Sequence, residues 1–143
     1  MTNTGFEVFD ETIQKTNTLL KSIETELGWT DHRKLSYAAL RSVLHALRDR
    51  LAIQESAQLT AQLPLLVRGV YYESWHPAVT PKKLKKDEFL EEVRKGFPYS
   101  TDREPAELIR AVVKAMRLFV SEGELEDVFS ELPKDLRAML KEF

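Results

Sequence analysis

Apolar residues recur at the spacing of an α-helix from the beginning of the chain. In the first stretch they follow one another at steps of 4, 3, 4, 3 and 4 residues, with one threonine among them: Phe9, Ile13, Thr16, Leu20, Ile23 and Leu27. This spacing places them on one face of an amphipathic helix. Gly28 follows directly, at the position where a glycine commonly ends a helix.

The same periodicity predicts three further helices in the next 45 or so residues. The second helix opens near Thr30 or Asp31, because either residue is a good N-cap. A short third helix covers residues 55–62. Pro64 then marks the corner to a fourth helix that runs through Tyr72, since a proline fits the first helical turn, where its missing N–H has no partner. The buried stripe of the second helix consists of Leu40, Leu44, Leu47 and Leu51.

A block of the chain recurs 69 positions later without a gap, so that residues 41–71 align with residues 110–140. A repeat at a fixed offset indicates one supersecondary unit that is used twice. The identical pairs are Arg41/Arg110, Val43/Val112, Ala46/Ala115, Arg48/Arg117, Glu55/Glu124, Leu63/Leu132, Pro64/Pro133 and Arg68/Arg137.

The second copy therefore predicts four more helices. Its first helix is shorter, covering residues 87–95 and ending near Gly96. Its fourth begins at Pro133 and runs to residue 143. The two helices between them start at sequences with the spacing of a capping box, in which side chains satisfy free backbone N–H groups. These sequences are Thr101-x-x-Glu104 and Ser121-x-x-Glu124.

Residues 74–86 separate the copies, and their two prolines and four lysines are typical of a linker. We therefore predict an all-α fold of eight helices in a single domain, residues 1–143. It is built as two tandem four-helix repeats, at about residues 6–73 and 87–143. Two similar halves pack most simply with pseudo-two-fold symmetry around one shared core.

Three segments of the chain resemble a known family. They are residues 62–77, QLPLLVRGVYYESWHP, residues 81–93, PKKLKKDEFLEEV, and residues 124–140, ELEDVFSELPKDLRAML. Together they are similar to the bacterial family catalogued as domain of unknown function 2267, and the Leu-Pro corner and the YYE-x-W-x-P element are their most specific parts. The resemblance implies an all-helical bacterial protein. It implies no activity, cofactor or catalytic residue, because the family has none assigned.

Composition narrows the possible functions. A formal net charge of −2, from 21 basic and 23 acidic residues, argues against a protein that binds nucleic acid through its charge. The absence of cysteine excludes disulfides, thiolate metal sites and thiol nucleophiles. Residues 1–10 lack the pattern of a secretory signal, and no apolar run reaches the length of a membrane span. We expect a soluble cytoplasmic protein without membrane contact.

The sequence offers little for catalysis or metal binding. His45 and Asp49 are one helical turn apart, but no strained G-x-S-x-G turn accompanies them, which favours a surface pair. Glu73 and His76 have the Glu-x-x-His spacing of di-iron bundles, but such sites need a second motif and two more glutamates. We predict no catalytic residue, no metal site and no cofactor. An acidic cluster without the spacing of a calcium loop is interpreted as a solvated helix face: Glu122, Glu124, Glu126, Asp127 and Glu131.

Five residues are candidates for a ligand site or an interface. Arg41 and Arg110 occupy equivalent positions beside the apolar stripes, where they either bridge to partners in their own copy or line an anion pocket between the copies. Tyr71, Tyr72 and Trp75 form the densest aromatic cluster, which either fills the seam between the copies or lines a groove.

Glu55 and Glu124 are explained as residues at position N3 of the two short third helices. We expect a non-catalytic helical module that binds a protein partner, with an oligomeric state that the sequence leaves open. The alternative is a small-ligand or anion-binding protein with a pocket between the two repeats. A closed seam with paired arginines favours the first function, and an open concavity lined by Arg41, Arg110 and Trp75 favours the second.

Overall fold

The computed structural model describes residues 3–141, which form eight α-helices and no strand. The predicted all-α fold is therefore confirmed for these residues, and the predicted helical character of residues 142–143 lies outside them. A short 3₁₀ helix, Pro77–Val79, interrupts the linker. The helices are α1 (Glu7–Leu27), α2 (Arg33–Arg50), α3 (Ile53–Thr60), α4 (Leu65–Tyr72), α5 (Lys86–Gly96), α6 (Pro105–Met116), α7 (Glu122–Ser130) and α8 (Lys134–Lys141).

Gly28 ends α1 as predicted. Its φ of 70° lies in the left-handed region, which a glycine adopts without steric cost. The predicted start of the second helix at Thr30 or Asp31 is wrong, because α2 begins at Arg33 with His32 as its N-cap. Asp31 has a φ of 63°, so the chain makes a left-handed turn at this residue before the helix can begin.

One of the two predicted capping boxes supplies a helix cap. Ser121 is the N-cap of α7, and its hydroxyl accepts a hydrogen bond from the backbone N–H of Glu124 at 3.1 Å. The predicted capping box at Thr101 is wrong, because the Thr101 hydroxyl accepts a hydrogen bond from the N–H of Arg103 at 3.0 Å, in the loop before the helix. The helix α6 begins only at Pro105, which suits a first helical position because it has no N–H to satisfy.

The two prolines at the Leu-Pro corners lie one residue earlier than predicted. Pro64 and Pro133 directly precede the first residues of α4 and α8. The carbonyl group of Pro64 accepts from the N–H of Arg68 at 3.0 Å, and that of Pro133 accepts from the N–H of Arg137 at 2.8 Å. Each proline thus supplies the first acceptor of its helix.

The helices of the two halves pack crosswise: the first helix of each half packs on the second helix of the other half. Helix α1 packs along α6, and α5 packs along α2, while α2 contacts α6 and α3 contacts α7. One cluster of buried apolar residues includes members of all eight α-helices. This exchange of partners is the arrangement that a two-fold relation between the halves predicts, although the symmetry itself stays a prediction. Within residues 3–141, no helix combines the length and the apolar character needed to cross a membrane.

Close approach of α5 to α2 depends on a glycine. A methyl group at Gly96 would lie 2.9 Å from the hydroxyl oxygen of Ser42. That hydroxyl donates a short hydrogen bond to the carbonyl of Val93 on α5. The linker is also hydrogen-bonded to α2, since the N–H of Lys82 donates to the carbonyl of Asp49 at 2.7 Å.

Candidate functional site

Arg41 and Arg48 on α2 both bond to the C-terminal end of α4. Buried Arg48 donates through Nη1 to the carbonyl oxygens of Tyr71 at 3.2 Å and Glu73 at 2.6 Å, and its Nε donates to Asp49 at 3.0 Å. Arg41 donates through Nε to the Glu73 carboxylate at 2.9 Å. The two bonds from Arg48 Nη1 satisfy carbonyls that a helix end leaves without intrahelical partners. Both arginines therefore hold the first half together.

The predicted aromatic cluster lies between α3 and α4. Tyr71 is completely buried, its hydroxyl lies 2.7 Å from Ser56 Oγ, and burial raises the pKa of Tyr71 well above its usual range. The hydroxyl of Tyr72 lies 2.8 Å from Thr60 Oγ1. Trp75 packs on the Tyr72 ring with centroids 5.1 Å apart, and its indole N–H is buried without a partner among the described residues. The cluster thus packs the two short helices of the first half together.

Arg110 lies exposed on α6. Arg41 lines a cavity of about 160 Å³ together with Tyr37 and Tyr99. The lining of this cavity includes neither Arg110 nor the aromatic cluster of Tyr71, Tyr72 and Trp75. The structure therefore brings the three aromatic residues together without joining the two arginines around that cavity.

His45 bonds to α4 rather than to its neighbour on α2. Its Nε2 lies 2.7 Å from the carbonyl oxygen of Val70, which makes this nitrogen the donor. Asp49 instead accepts from Arg48. Burial lowers the pKa of His45, and the nearby charges of Arg48 and Arg41 lower it further. His45 is therefore engaged in a structural hydrogen bond between α2 and α4.

A groove opens where the start of α1 meets the corner between α3 and α4. It has a volume of about 350 Å³. The hydroxyl of Thr12 accepts from the N–H of Leu66 at 2.9 Å and so joins α1 to α4 at this point. Charged residues Glu11, Lys15 and Arg68 also line it. Its apolar lining consists of Val8, Ala61, Leu63, Pro64, Leu65 and Phe119.

Large apolar side chains are exposed in the first turns of α1 and α4, the two helices that border this groove. Leu65 and Leu66 in the first turn of α4 are 52% and 45% exposed, and Val8 and Phe9 in the first turn of α1 are each 51% exposed. Phe6 stacks edge-on against Phe9 with centroids 5.0 Å apart. Exposed apolar side chains grouped beside charged ones are typical of a protein-binding surface.

The second half lacks this surface. At the 69-residue offset, Lys134 and Asp135 occupy the positions of Leu65 and Leu66. The corresponding helix α8 forms with these charged residues in its first turn. Leucines are therefore not needed to start this helix, and about half of each leucine side chain in α4 is available for contact with a partner.

Two buried glutamates meet between α3 and α7. Glu55 and Glu124, identical across the repeat, each place an oxygen within 4.8 Å of the other and of an oxygen of Asp127. Burial, followed by the adjoining Glu55 carboxyl, raises the pKa of Glu124 to about 8. Both glutamates occupy position N3 of their helices, as predicted. The prediction did not include their contact with each other.

The same two helices exchange a pair of hydrogen bonds. The carboxylate of Glu131 accepts from the N–H of Ala52, the N-cap of α3, at 2.8 Å. The side-chain oxygen of Gln62 accepts from the N–H of Ser121, the N-cap of α7, at 2.8 Å. Since Gln62 and Glu131 are 69 positions apart, as are Ala52 and Ser121, equivalent residues cap each other's helices.

Comparison of the sequence with known protein families gives a match. The sequence model of a family described as "Uncharacterized conserved protein (DUF2267)" matches residues 16–139. This match confirms the resemblance seen in the sequence. No functionally curated protein matches the chain.

Proposed function

The chain belongs to the DUF2267 family, whose description assigns no activity, and we propose from its surface that it is a non-catalytic module that binds an apolar segment of another protein. The groove between α1 and the corner of α3 and α4 is the proposed binding surface. The proposed setting is the cytoplasm of a bacterial cell.

One observation carries the proposal. Leu65 and Leu66 are about half exposed beside the groove, whereas the equivalent positions of the second half hold Lys134 and Asp135. Half-exposed leucines weaken solubility, so their presence favours a binding role. A lining of apolar residues together with charges of both signs fits a protein partner better than a small anion.

The alternative, a ligand pocket between the repeats, receives less support. Arg41 is engaged with Glu73, and Arg48 is engaged with the end of α4. Tyr71 has no exposed surface with which to touch a ligand. These contacts favour the interaction module.

Site-specific photocrosslinking tests the proposal. A photoreactive phenylalanine analogue is placed at position 65, and the matched control carries it at position 134. We expect crosslinked adducts with another protein from position 65 and none from position 134. The captured protein is then purified, and its affinity is measured by calorimetry.

The double variant Leu65→Lys with Leu66→Asp gives the first half the residues of the second. We expect it to bind the captured protein at least about tenfold more weakly, which corresponds to about 1.4 kcal/mol. Its thermal melt should match the parent, since both leucines are about half exposed. Equal affinity of parent and variant would overturn the proposal, and so would adducts with only a second copy of this chain.

A further inference from the structure

Two buried carboxyl groups lack a charge partner in the interior of the protein. Glu55 is 9% exposed and Glu124 is 8% exposed. In each of them, Oε2 is buried and has no hydrogen-bond partner within residues 3–141. Burying an ionised carboxylate without a partner is costly, so such a pair must be neutralised by a proton or by a cation.

Asp127 adds a third carboxyl group at the same point. It lies one turn after Glu124 on the same face of α7, and its side chain is exposed. Oxygens of all three residues lie within 4.8 Å of one another. Opposite oxygen ligands of a calcium ion, each about 2.3–2.6 Å from the metal, are separated by about 5 Å. The three oxygens therefore fit within a single coordination sphere.

The charges around this cluster favour a cation over a proton. None of the ion pairs found among residues 3–141 involves Glu55, Glu124 or Asp127. One shared proton would leave two negative charges on the three carboxyl groups, whereas a divalent cation would leave only one.

We propose that Glu55, Glu124 and Asp127 bind one divalent cation of the size and oxygen preference of calcium. The ligand set contains carboxylates and neither histidine nor cysteine, which favours hard cations over zinc or copper. Asp127 lies at the surface, so it gives the ion a path from solvent and leaves coordination positions for water. Bound there, the ion joins α3 of the first half to α7 of the second. This site is independent of the proposed groove.

The test uses protein that has been treated with EDTA and dialysed. Binding of Ca²⁺, Mn²⁺ and Mg²⁺ is measured by calorimetry. The melting temperature is measured at about 1 mM cation, because the weakest calcium-binding modules have dissociation constants of about this size. We expect one Ca²⁺ or Mn²⁺ per chain and a higher melting temperature. Mg²⁺, which prefers shorter bonds of about 2.0–2.1 Å, should bind more weakly.

Glu55→Gln and Glu124→Gln should each weaken Ca²⁺ binding by about tenfold or more, because each removes a charged ligand. Glu126→Gln is the matched control, since it removes an equal charge from an exposed position of the same helix. The metal-free melts of all variants verify that they fold. The proposal is overturned if the parent binds no cation, or if Glu126→Gln weakens binding as much. Absence of cation binding, with a pH-dependent melt that Glu124→Gln abolishes, would indicate a shared proton instead.

Discussion

Leu63 and Leu132 occupy equivalent corners of the two halves and are 2% and 3% exposed. An arginine of the following helix turns back to each corner: Arg68 Nε donates to the carbonyl of Leu63 at 2.9 Å, and Arg137 Nη2 donates to that of Leu132 at 3.5 Å. The identity of these residues across the repeat thus has a structural cause, namely a buried side chain whose carbonyl also needs a donor.

Truncation of either leucine should destabilise the protein more than replacement of its neighbouring proline. We expect Leu63→Ala and Leu132→Ala to lower the free energy of unfolding by about 2–5 kcal/mol, because each opens a cavity. Pro64→Ala and Pro133→Ala should cost about 0.4–1 kcal/mol, since proline there mainly restricts the unfolded chain. Urea melts of the four variants provide the measurement. Leucine variants that melt like the parent would contradict the assignment of these corners to the core.

His45 should make stability depend on pH below neutrality. Burial and the arginines Arg48 and Arg41 lower the pKa of His45, whereas the bond to Val70 and the charge of Asp49 oppose them. The folded state therefore binds fewer protons than the unfolded state, and its stability falls as the pH drops through the ordinary histidine pKa of about 6.5.

The slope from this one group should reach at most about 1.4 kcal/mol per pH unit. His45→Gln keeps a donor for the carbonyl but cannot titrate, so its free energy of unfolding should change less between pH 7 and 5 than that of the parent. His76→Gln, at an exposed position, is the control. Equal slopes in the parent and His45→Gln would show that other groups cause the dependence.

The positions of helices were predictable because apolar spacing reports a buried face directly. Their starts were predictable only where the cap is local, as in Ser121. Asp31 was misassigned because its left-handed φ of 63° is set by the turn that redirects the chain into α2. Thr101 was misassigned because its hydroxyl bonds within the loop, which the spacing to Glu104 cannot distinguish from a cap.

The contact between Glu55 and Glu124 was harder to predict, because the two residues come from different copies of the repeat. Each copy, taken separately, explains Glu55 or Glu124 as an N3 residue. Their contact follows only once α3 and α7 are known to pack together. The groove left a clearer signal, since Leu65 and Leu66 align with Lys134 and Asp135. An apolar residue in one copy and a charge in the other indicates a position whose surroundings differ between the copies.

Two glycines on different helices should respond oppositely to alanine. Gly96→Ala places a methyl group 2.9 Å from Ser42 Oγ, at the contact of α5 with α2. We expect it to lower the free energy of unfolding by about 1–3 kcal/mol, the usual cost of overpacking. Gly69→Ala lies within α4 and meets no atom within 4 Å. It should stabilise by about 0.5–1 kcal/mol, because alanine favours the helix. Chemical denaturation measures both, and a neutral Gly96→Ala would show that α5 and α2 separate easily.

At the scale of the whole molecule, polar bonds follow the crosswise packing of the halves. Arg103 in the second half donates to the carbonyl of Leu27 at the end of α1 at 2.7 Å. Lys114 on α6 pairs with Glu26 on α1 at 2.7 Å. The first helix is therefore bound to the second half by both apolar and polar contacts.

Trypsin should cut the native protein first in the linker, residues 74–86. Lys83 is exposed there, whereas the backbone of Lys82 is bonded to α2 and that of Lys85 is bonded to the first turn of α5. The two fragments should remain together on a native sizing column, because α1 packs on α6 and α5 packs on α2. Gel electrophoresis with and without denaturation checks both points. First cuts within α2 or α6, or fragments that separate without denaturant, would contradict the crosswise arrangement.

The crosswise packing gives the linker a thermodynamic role. While residues 74–86 are intact, α1 meets α6 at an effective concentration of roughly millimolar, as short flexible tethers provide. Unfolding of the intact chain is then independent of dilution. After one cut, the same contacts join two separate molecules, so the melting temperature should fall as the nicked protein is diluted. A single peptide bond thus separates unimolecular from bimolecular folding in this protein.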